Sequence, residues 1–528
     1  MGAEDSYRQG VEHAEGFRFE EARRSLEQAV AQGAGADALA VLSAVRGELG
    51  DGAGAEDALA RAIALRPMDP ALALLDATLL PMVYRDVQDL ERWRSRYASR
   101  LDQFVRDIDR YRPEAAKILG LARTNFLLAY QGRDDRALQA RLCEALTALL
   151  RVALPQYCAP RPRMPRSRIR VGFASAFLFD CTVGRYFSSW IEGLDPARFE
   201  VACFMTGTAN DALTDRLAQG CAFFERVNLP VADIAARIAA AELDVLIYPE
   251  IGMDPRCRLL SCLRLAPTQL AAWGHPQTTG SPEIDGYLTC AEMEGREGPA
   301  HYTEPLLALP GLGVAYDPLP TPPPFTRSEL GFEDGRPVYC CPHSLFKLHP
   351  DSDALFAEIL AADPDGLLVL FNAQSAGAEP ARVVAQRVAR ALEQRGVAPR
   401  RQLRILPRMA PADFRRALQA ADVVVDPLHW SGGNTALDAL AMGVPVVTTP
   451  GVLMRSRQAA AMLRRLEVPG LVAGTVEESA RIAANVANDR TLRDAMSLRI
   501  RAGLERLFGD REPVMRLASL LEESATRK

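Results

Sequence analysis

The 528-residue sequence predicts an α/β fold: two Rossmann-like domains in tandem, preceded by an all-α helical region. Three observations predict it. Short apolar, β-branched runs alternate with helical stretches in two series, "IRVGFAS", "FEVACFMTG", "DVLIYPE" and "QLAAWG", then "PVYCCP", "GLLVLF", "QLRILP", "DVVVDP" and "VPVVTT", the alternation of parallel sheets covered by helices. Two proline-rich joints, "ALPQYCAPRPRMPRSR" and "DPLPTPPPF", interrupt the chain with compositions that cannot continue a helix. Everything before the first joint is rich in Ala, Leu, Glu and Arg, with apolar residues at helical spacing.

These features divide the chain into residues 1–85, 86–165, 166–322 and 323–528. In the first division Ala22 and Ala29 recur 33 residues on as Ala55 and Ala62, and Pro67 follows the second helix. The offset fits helix-turn-helix repeats of the tetratricopeptide (TPR) sort; an ordinary Ala-rich bundle is the plainer alternative. Leu90 through Leu154 continue as amphipathic helix and join the repeats to the α/β domains.

Composition narrows the function. With 48% hydrophobic and 24% charged residues the chain is globular, and no apolar run reaches the roughly 20 residues that span a bilayer. The start "MGAEDSYRQGVEHAEG" lacks a basic region followed by an apolar stretch, so a cytoplasmic protein is expected, without a membrane. A net charge of −5 gives no positive field to gather nucleic acid. Ten cysteines without CxxC pairs and six histidines without HExxH-like spacing predict no metal site and no disulfides. Of 62 basic residues only Lys117, Lys347 and Lys528 are lysine; a lysine kept among arginines suggests a place that needs a compact charge.

The strand-end loops carry the chemistry. In "VVVDPLHWSGGNTALDALAMGVPVV" a buried strand ends, a glycine-rich turn follows, and a helix begins near Asn434. Gly432 and Gly433 permit an anion to approach free backbone N–H groups at the positive end of that helix, and Asn434 and Thr435 add donors, so a diphosphate is the natural guest. Asp438, on the same helical face, is placed to accept from ribose hydroxyls. In "VYCCPHSLFKLHPDSDALF", Lys347 offers a cation to a departing diphosphate, and His343 and Ser344 offer further donors. Asp351 and Asp353 form a DxD that opens a helix, where carboxylates are stabilising without a metal. From the first domain, Gly274, His275 and Pro276, with Thr278, Thr279 and Gly280 after them, make a turn that can meet the ligand from across the cleft. Asp180, Cys181, Arg185 and Tyr186 sit in the loop after the first strand, where Asp180 is the expected acceptor base.

Three co-linear segments, "RLAPTQLAAWGHPQTTGSPEIDGYL", "CPHSLFKLHPDSDALF" and "SGGNTALDALAMGVPVVTTPGVLMRSRQAAAML", together resemble the O-GlcNAc transferase and SPINDLY family, glycosyltransferase family 41, over roughly residues 168 to 510. The resemblance implies a GT-B fold and an inverting, metal-independent transfer from a UDP-sugar, GlcNAc or glucose, to Ser or Thr of a protein acceptor, with no cofactor. It also implies that Lys347 contacts the diphosphate, Asn434 and Thr435 the phosphates, Asp438 the ribose, and the backbone at Met409 and Ala410 the base. Two positions depart from the pattern: Cys181 stands where many members carry histidine, and Gly433 where the animal enzymes do. "YPEIGMD" and "LFGDREPVMRLASLLEE" resemble the cytoplasmic adhesin N-glucosyltransferases of the same family, which makes asparagine the alternative acceptor. A nucleotide-sugar epimerase and a non-catalytic repeat scaffold are more distant readings.

Overall fold

The structure is a computed structural model that describes residues 2–372 and 378–526; Lys528 lies outside them. The chain opens with two helix hairpins, Ala3–Glu15 with Phe19–Ala31 and Ala36–Glu48 with Gly52–Leu65. The alanines of the sequence repeat, Ala22, Ala29, Ala55 and Ala62, are all fully buried. Within the first hairpin, Gly10 lies so close to Leu26 that a Cβ there would come 2.6 Å from the leucine Cγ. Small residues at a fixed offset thus mark where paired helices touch, the organisation of TPR-like repeats.

The segment expected as continuous helix from Leu90 to Leu154 is broken. Helices Val87–Arg106 and Arg136–Ala153 are separated by 3-10 turns at Arg112–Gly120 and Phe126–Gln131. Pro113 removes a backbone donor, and Gly132, at φ 65°, takes a left-handed conformation that ends the second turn. Those irregular turns matter, because they carry Phe126 and Tyr130 to the cleft.

The first α/β lobe holds β1 (Ile169–Ser175), β2 (Phe199–Met205), β3 (Phe223–Arg226), β4 (Val245–Tyr248), β5 (Thr268–Ala271), β6 (Gly286–Cys290) and β7 (Leu306–Leu309). They form one parallel sheet in the order β3-β2-β1-β4-β5-β6-β7. The second lobe holds β8 (Val338–Cys341), β9 (Leu367–Phe371), β10 (Leu403–Leu406), β11 (Val423–Val425) and β12 (Val446–Val447), parallel in the order β10-β9-β8-β11-β12. Central strands such as β4, β8 and β11 are buried along their whole length, as parallel strands with helices on both faces must be. Among the described residues no helix is long and apolar enough to cross a membrane.

Two connections tie these parts together. The last helix, Glu512–Thr526, follows the second lobe yet returns to the first: Val514 fills the space beside Gly193, and the Arg163 guanidinium donates to the Ser524 carbonyl at 2.6 Å. At the other end, helix Pro70–Ala77 gives Leu72 to the small core of the hairpins, but Leu74 and Ala77 to the large core shared with both lobes. The seam between repeats and body therefore runs through that helix.

Candidate active site

Both sheets turn their carboxyl ends to one cleft, where ligands of open parallel sheets bind. A cavity of about 190 Å³ lies there. Its walls bring together Gly274, His275 and Pro276 from the loop after β5, His343 and Lys347 from the loop after β8, and Gly432, Gly433, Asn434 and Thr435 from the loop after β11. Loops 160 residues apart in sequence thus meet because β5, β8 and β11 are the inner strands of their sheets.

The glycine-rich turn is shaped by Asp426, just past β11. Its buried carboxylate accepts from the Ser431 hydroxyl (2.6 Å), the Thr448 hydroxyl (2.7 Å) and the Gly432 N–H (2.7 Å). Burial outweighs these three bonds and pushes its pKa up to about 6. Helix Asn434–Ala441 follows, and no side chain caps its first turn, so its leading N–H groups are left for a ligand. The buried Asn434 Oδ1 also lacks a partner among the described residues. Gly433 has a specific reason to be glycine: a Cβ there would lie 2.4 Å from the Tyr186 hydroxyl of the first lobe. Tyr186 occupies the space into which a side chain at 433 would grow.

Lys347 ends the 3-10 turn Leu345–Lys347. Its ammonium stands 5.4 Å from the Trp430 ring centroid and 5.8 Å from that of Phe346, within cation–π range. Burial alone pulls its pKa down to about 8, with no carboxylate among the described residues to hold the proton. An ammonium desolvated in this way gains most when an anion arrives. The two cavity histidines are neutral. Burial and the Lys347 charge bring His343 down to about 3, and burial with the charges of Arg258, Arg455 and Lys347 does the same for His275. The 3.7 Å approach of His343 Nε2 to Asp426 is therefore not an ion pair.

The first-lobe loop is pinned by the buried Glu304. Its carboxylate accepts from the Thr278 hydroxyl at 2.6 Å and the Thr279 N–H at 2.9 Å, while Arg258 donates to the Thr279 carbonyl at 2.7 Å. Thr278 and Thr279 are thus anchors behind the cavity.

The remaining expected residues lie elsewhere. Ser344 caps the Lys347 turn through its backbone and does not line the cavity. Met409 and Ala410 follow β10, the edge strand of the second sheet, two strands from β8, with Met409 against the core and Ala410 exposed at the start of helix Pro411–Ala420. Asp438 is buried and paired with Arg185 of the first lobe at 2.9 Å. Asp180 is exposed and lines a separate pocket with Arg185, Asp211 and Arg216, because its N–H donates to the Asp211 carboxylate at 2.7 Å and turns the loop that way. Cys181 is a protonated thiol, pushed up to about 11 by burial. The DxD splits between two partners: Asp353 pairs with Arg387 at 2.6 Å and Asp351 with His429 at 2.7 Å.

Sequence reasoning missed an aromatic wall. Tyr130 packs 4.2 Å from Trp430 and 4.7 Å from Phe346, and Phe126 stacks on His275 at 5.1 Å. The linker between repeats and lobes therefore forms one side of the cavity. Its only signal in the sequence was two aromatics within "RTNFLLAYQG", read as helix packing. Asp426, inside the quoted "DVVVDP", was likewise visible as a strand end and unassigned.

Residues 323–508 match the family model described as Glycosyl transferase family 41. The chain is 25% identical over 333 residues to the probable UDP-N-acetylglucosamine–peptide N-acetylglucosaminyltransferase SPINDLY of Petunia hybrida, covering 62% of this chain and 35% of that protein. It is equally 25% identical over 349 residues to the corresponding SEC protein of Arabidopsis thaliana, covering 63% and 34%. It thus spans about a third of the length of these curated relatives. A solved structure of the Thermobaculum terrenum O-GlcNAc transferase, a lysine-to-methionine mutant, is 25% identical with a TM-score of 0.71 over 99% of this chain and 97% of that one. The helical region, both lobes and the returning last helix thus have a counterpart along nearly the whole chain, and the second lobe, residues 323–508, is the part similar to glycosyltransferase family 41.

Proposed function

We propose that the protein transfers GlcNAc or glucose from a UDP-sugar to Ser or Thr side chains of a protein acceptor, with inversion and without a metal at the donor. The observation that carries this reading is the convergence of the Lys347 ammonium and the uncapped first turn of helix Asn434–Ala441 on one cavity. Both favour the charge that grows on a departing nucleoside diphosphate, which is where transition-state binding is most effective. The Gly274–Pro276 turn closes the cavity from the acceptor lobe. Neutral His275 and His343 can exchange hydrogen bonds with sugar hydroxyls without adding charge.

The proton of the attacking hydroxyl is not routed through Asp180, which faces the neighbouring pocket. We assign Met409 and Ala410 to the base and Asp438 to the ribose on the strength of the family resemblance. The N-terminal hairpins are proposed to recruit the acceptor chain, as stacked helical repeats present extended surfaces. A cytoplasmic, reducing address suits ten free thiols.

The test is incubation of the full chain with a panel of UDP-sugars and acceptor polypeptides in the presence of chelator. Expected are release of UDP and a hexose or N-acetylhexosamine mass increment that fragmentation places on Ser or Thr. An increment on asparagine would establish the alternative acceptor. No UDP release and no labelled polypeptide with any UDP-sugar would overturn the reading.

A further inference from the structure

Next to the donor cavity, and lining none of it, lie His349, Asp351 and His429. Each offers one ligand atom, and the three atoms lie within 4.8 Å of one another. His429 Nε2 is 2.7 Å from Asp351 Oδ2, and His349 Nδ1 is 3.4 Å from the same oxygen. The two rings meet edge to face with centroids 4.3 Å apart.

Three further observations point to a ligand. His349 is almost wholly buried, yet its Nε2 has no partner among the described residues. His429 sits at φ 68°, a left-handed conformation uncommon for a residue with a Cβ, and so its ring is held in place against a backbone cost. Gly132, itself left-handed, leaves room for that ring: a Cβ there would come 2.7 Å from the His429 Cγ. The two arginines whose charge reaches the cluster are already paired, Arg133 with Glu91 at 2.6 Å and Arg387 with Asp353 at 2.6 Å, so the cluster is not set in an uncompensated positive field.

From this geometry we infer that His349, Asp351 and His429 bind a first-row divalent transition ion, zinc foremost, which staples the Lys347 segment to the loop that leads into the glycine-rich turn. Two imidazoles and one carboxylate are the donor set that such ions take, whereas magnesium and calcium prefer oxygen alone. His349 Nδ1 accepts from the Asp351 N–H at 3.1 Å, which leaves its unpartnered Nε2 as the nitrogen free to meet the ion. Asp351 and His429 are partly exposed, which leaves an entry path and a fourth position for water. The consequence for the transferase is positional. His349 follows Lys347 by two residues, and His429 immediately precedes Trp430, so the ion would fix the separation of the cation from the phosphate-binding turn. The staple rests on the proposed donor site for its significance, but not for its existence.

The experiment uses the full chain, stripped with chelator and dialysed, and titrated calorimetrically with zinc chloride, with cobalt(II) as the spectroscopic probe. Expected are one equivalent of zinc per chain, a cobalt spectrum of imidazole and carboxylate ligation free of the intense thiolate charge-transfer band, and a raised melting temperature. Asp351→Asn and His429→Gln, each shown by melting curve to be folded when stripped, should weaken zinc by at least about tenfold, since even outer-shell changes reach that size. Zinc affinity unchanged in both variants, a thiolate-type cobalt spectrum, or no stoichiometric binding would overturn the site. UDP binding to the zinc-loaded protein is measured in parallel: its absence would count against the proposed function and leave the zinc result standing by itself.

Discussion

Across the cleft the Arg185 guanidinium donates to the Asp438 carboxylate at 2.9 Å and 3.5 Å, joining the first turn of one lobe's helix Thr182–Gly193 to helix Asn434–Ala441 of the other. Arg185 also lies over the Tyr316 ring at 5.1 Å. At about 190 Å³ the donor cavity is smaller than the ~300–1,000 Å³ usual for a ligand pocket. The pair ties the two lobes to each other across the cleft. Both side chains are largely buried, and removing one partner strands a charge, at a cost of roughly 3–5 kcal/mol for a buried pair. Arg185→Met is expected to lose stability near the low end of that range in denaturant titration. Adding Asp438→Asn should recover at least half of the loss. Losses that simply add in the double variant would show that the two groups are not coupled.

The seam inside helix Pro70–Ala77 sets where the repeats can be removed. Asp69 caps that helix by accepting from the Ala71 N–H at 3.0 Å, and Tyr84 is tied to the second lobe through Arg387, which donates to its carbonyl at 2.9 Å. Deleting residues 1–67 keeps the cap and the large core. That form is expected to melt cooperatively and bind UDP like the full chain, while modifying a protein acceptor more slowly. Deleting 1–85 removes Leu74, Leu80 and Tyr84 from the core and should abolish the cooperative melt. Full acceptor turnover by the 1–67 deletion would contradict recruitment by the hairpins.

Much of this architecture was legible because loops at strand ends keep their chemistry close in sequence. The nine strand segments named from composition are all strands, and Lys347 and the SGGNT turn meet because β8 and β11 are neighbours. The strand of "FFER" at 223–226 was not legible, being an edge strand with its first residue half exposed and no apolar alternation to announce it. The short β6 and β7, "GYLTC" and "LLAL", lie among turn residues that hide them. Asp180 was expected at the cavity because it follows β1; the bond from its N–H to Asp211, 31 residues on, could not be read from spacing. The same holds for His429 with Asp351, 78 residues apart, and for the linker aromatics, whose partners lie in another domain.

Asp426 gives a pH-dependent stability. Its pKa rises from 3.8 to about 6 because burial disfavours the ion. The folded state therefore holds a proton that the unfolded state has lost between those values, and the stabilisation is complete below about pH 4 and gone above about pH 6. Asp426→Asn removes this titration while Asp353, also pushed up to about 6, remains in both proteins and cancels. Wild-type stability relative to the variant should thus fall as pH rises from 4 to 6, by up to roughly 3 kcal/mol, the linkage equivalent of that shift. Denaturant titrations across pH 4.5 to 7.5 check it. A difference that is flat, or that grows with pH, would show that the three hydrogen bonds outweigh burial.

Lys347 carries the strongest expectation for turnover. Its ammonium is desolvated, lines the cavity, and has two aromatic rings and, among the described residues, no carboxylate as neighbours. Negative charge on the diphosphate is greatest as the sugar leaves, so removing the ammonium should fall on the chemical step more than on donor affinity. Lys347→Ala is expected to lower single-turnover transfer by on the order of 2–4 kcal/mol of barrier, the size of one preorganised electrostatic contact. Lys347→Arg should not restore it, because a planar guanidinium spreads its charge over a wider fork than the space between Phe346 and Trp430 was built to hold. Lys117, on the surface beside Glu114 at 3.1 Å, provides the control, and Lys117→Arg should transfer at the wild-type rate. Each variant is first shown to be folded by its melting curve and to bind UDP. Wild-type rates in Lys347→Ala would remove the leaving-group role, and rescue by Lys347→Arg would show that charge alone, without shape, meets the need.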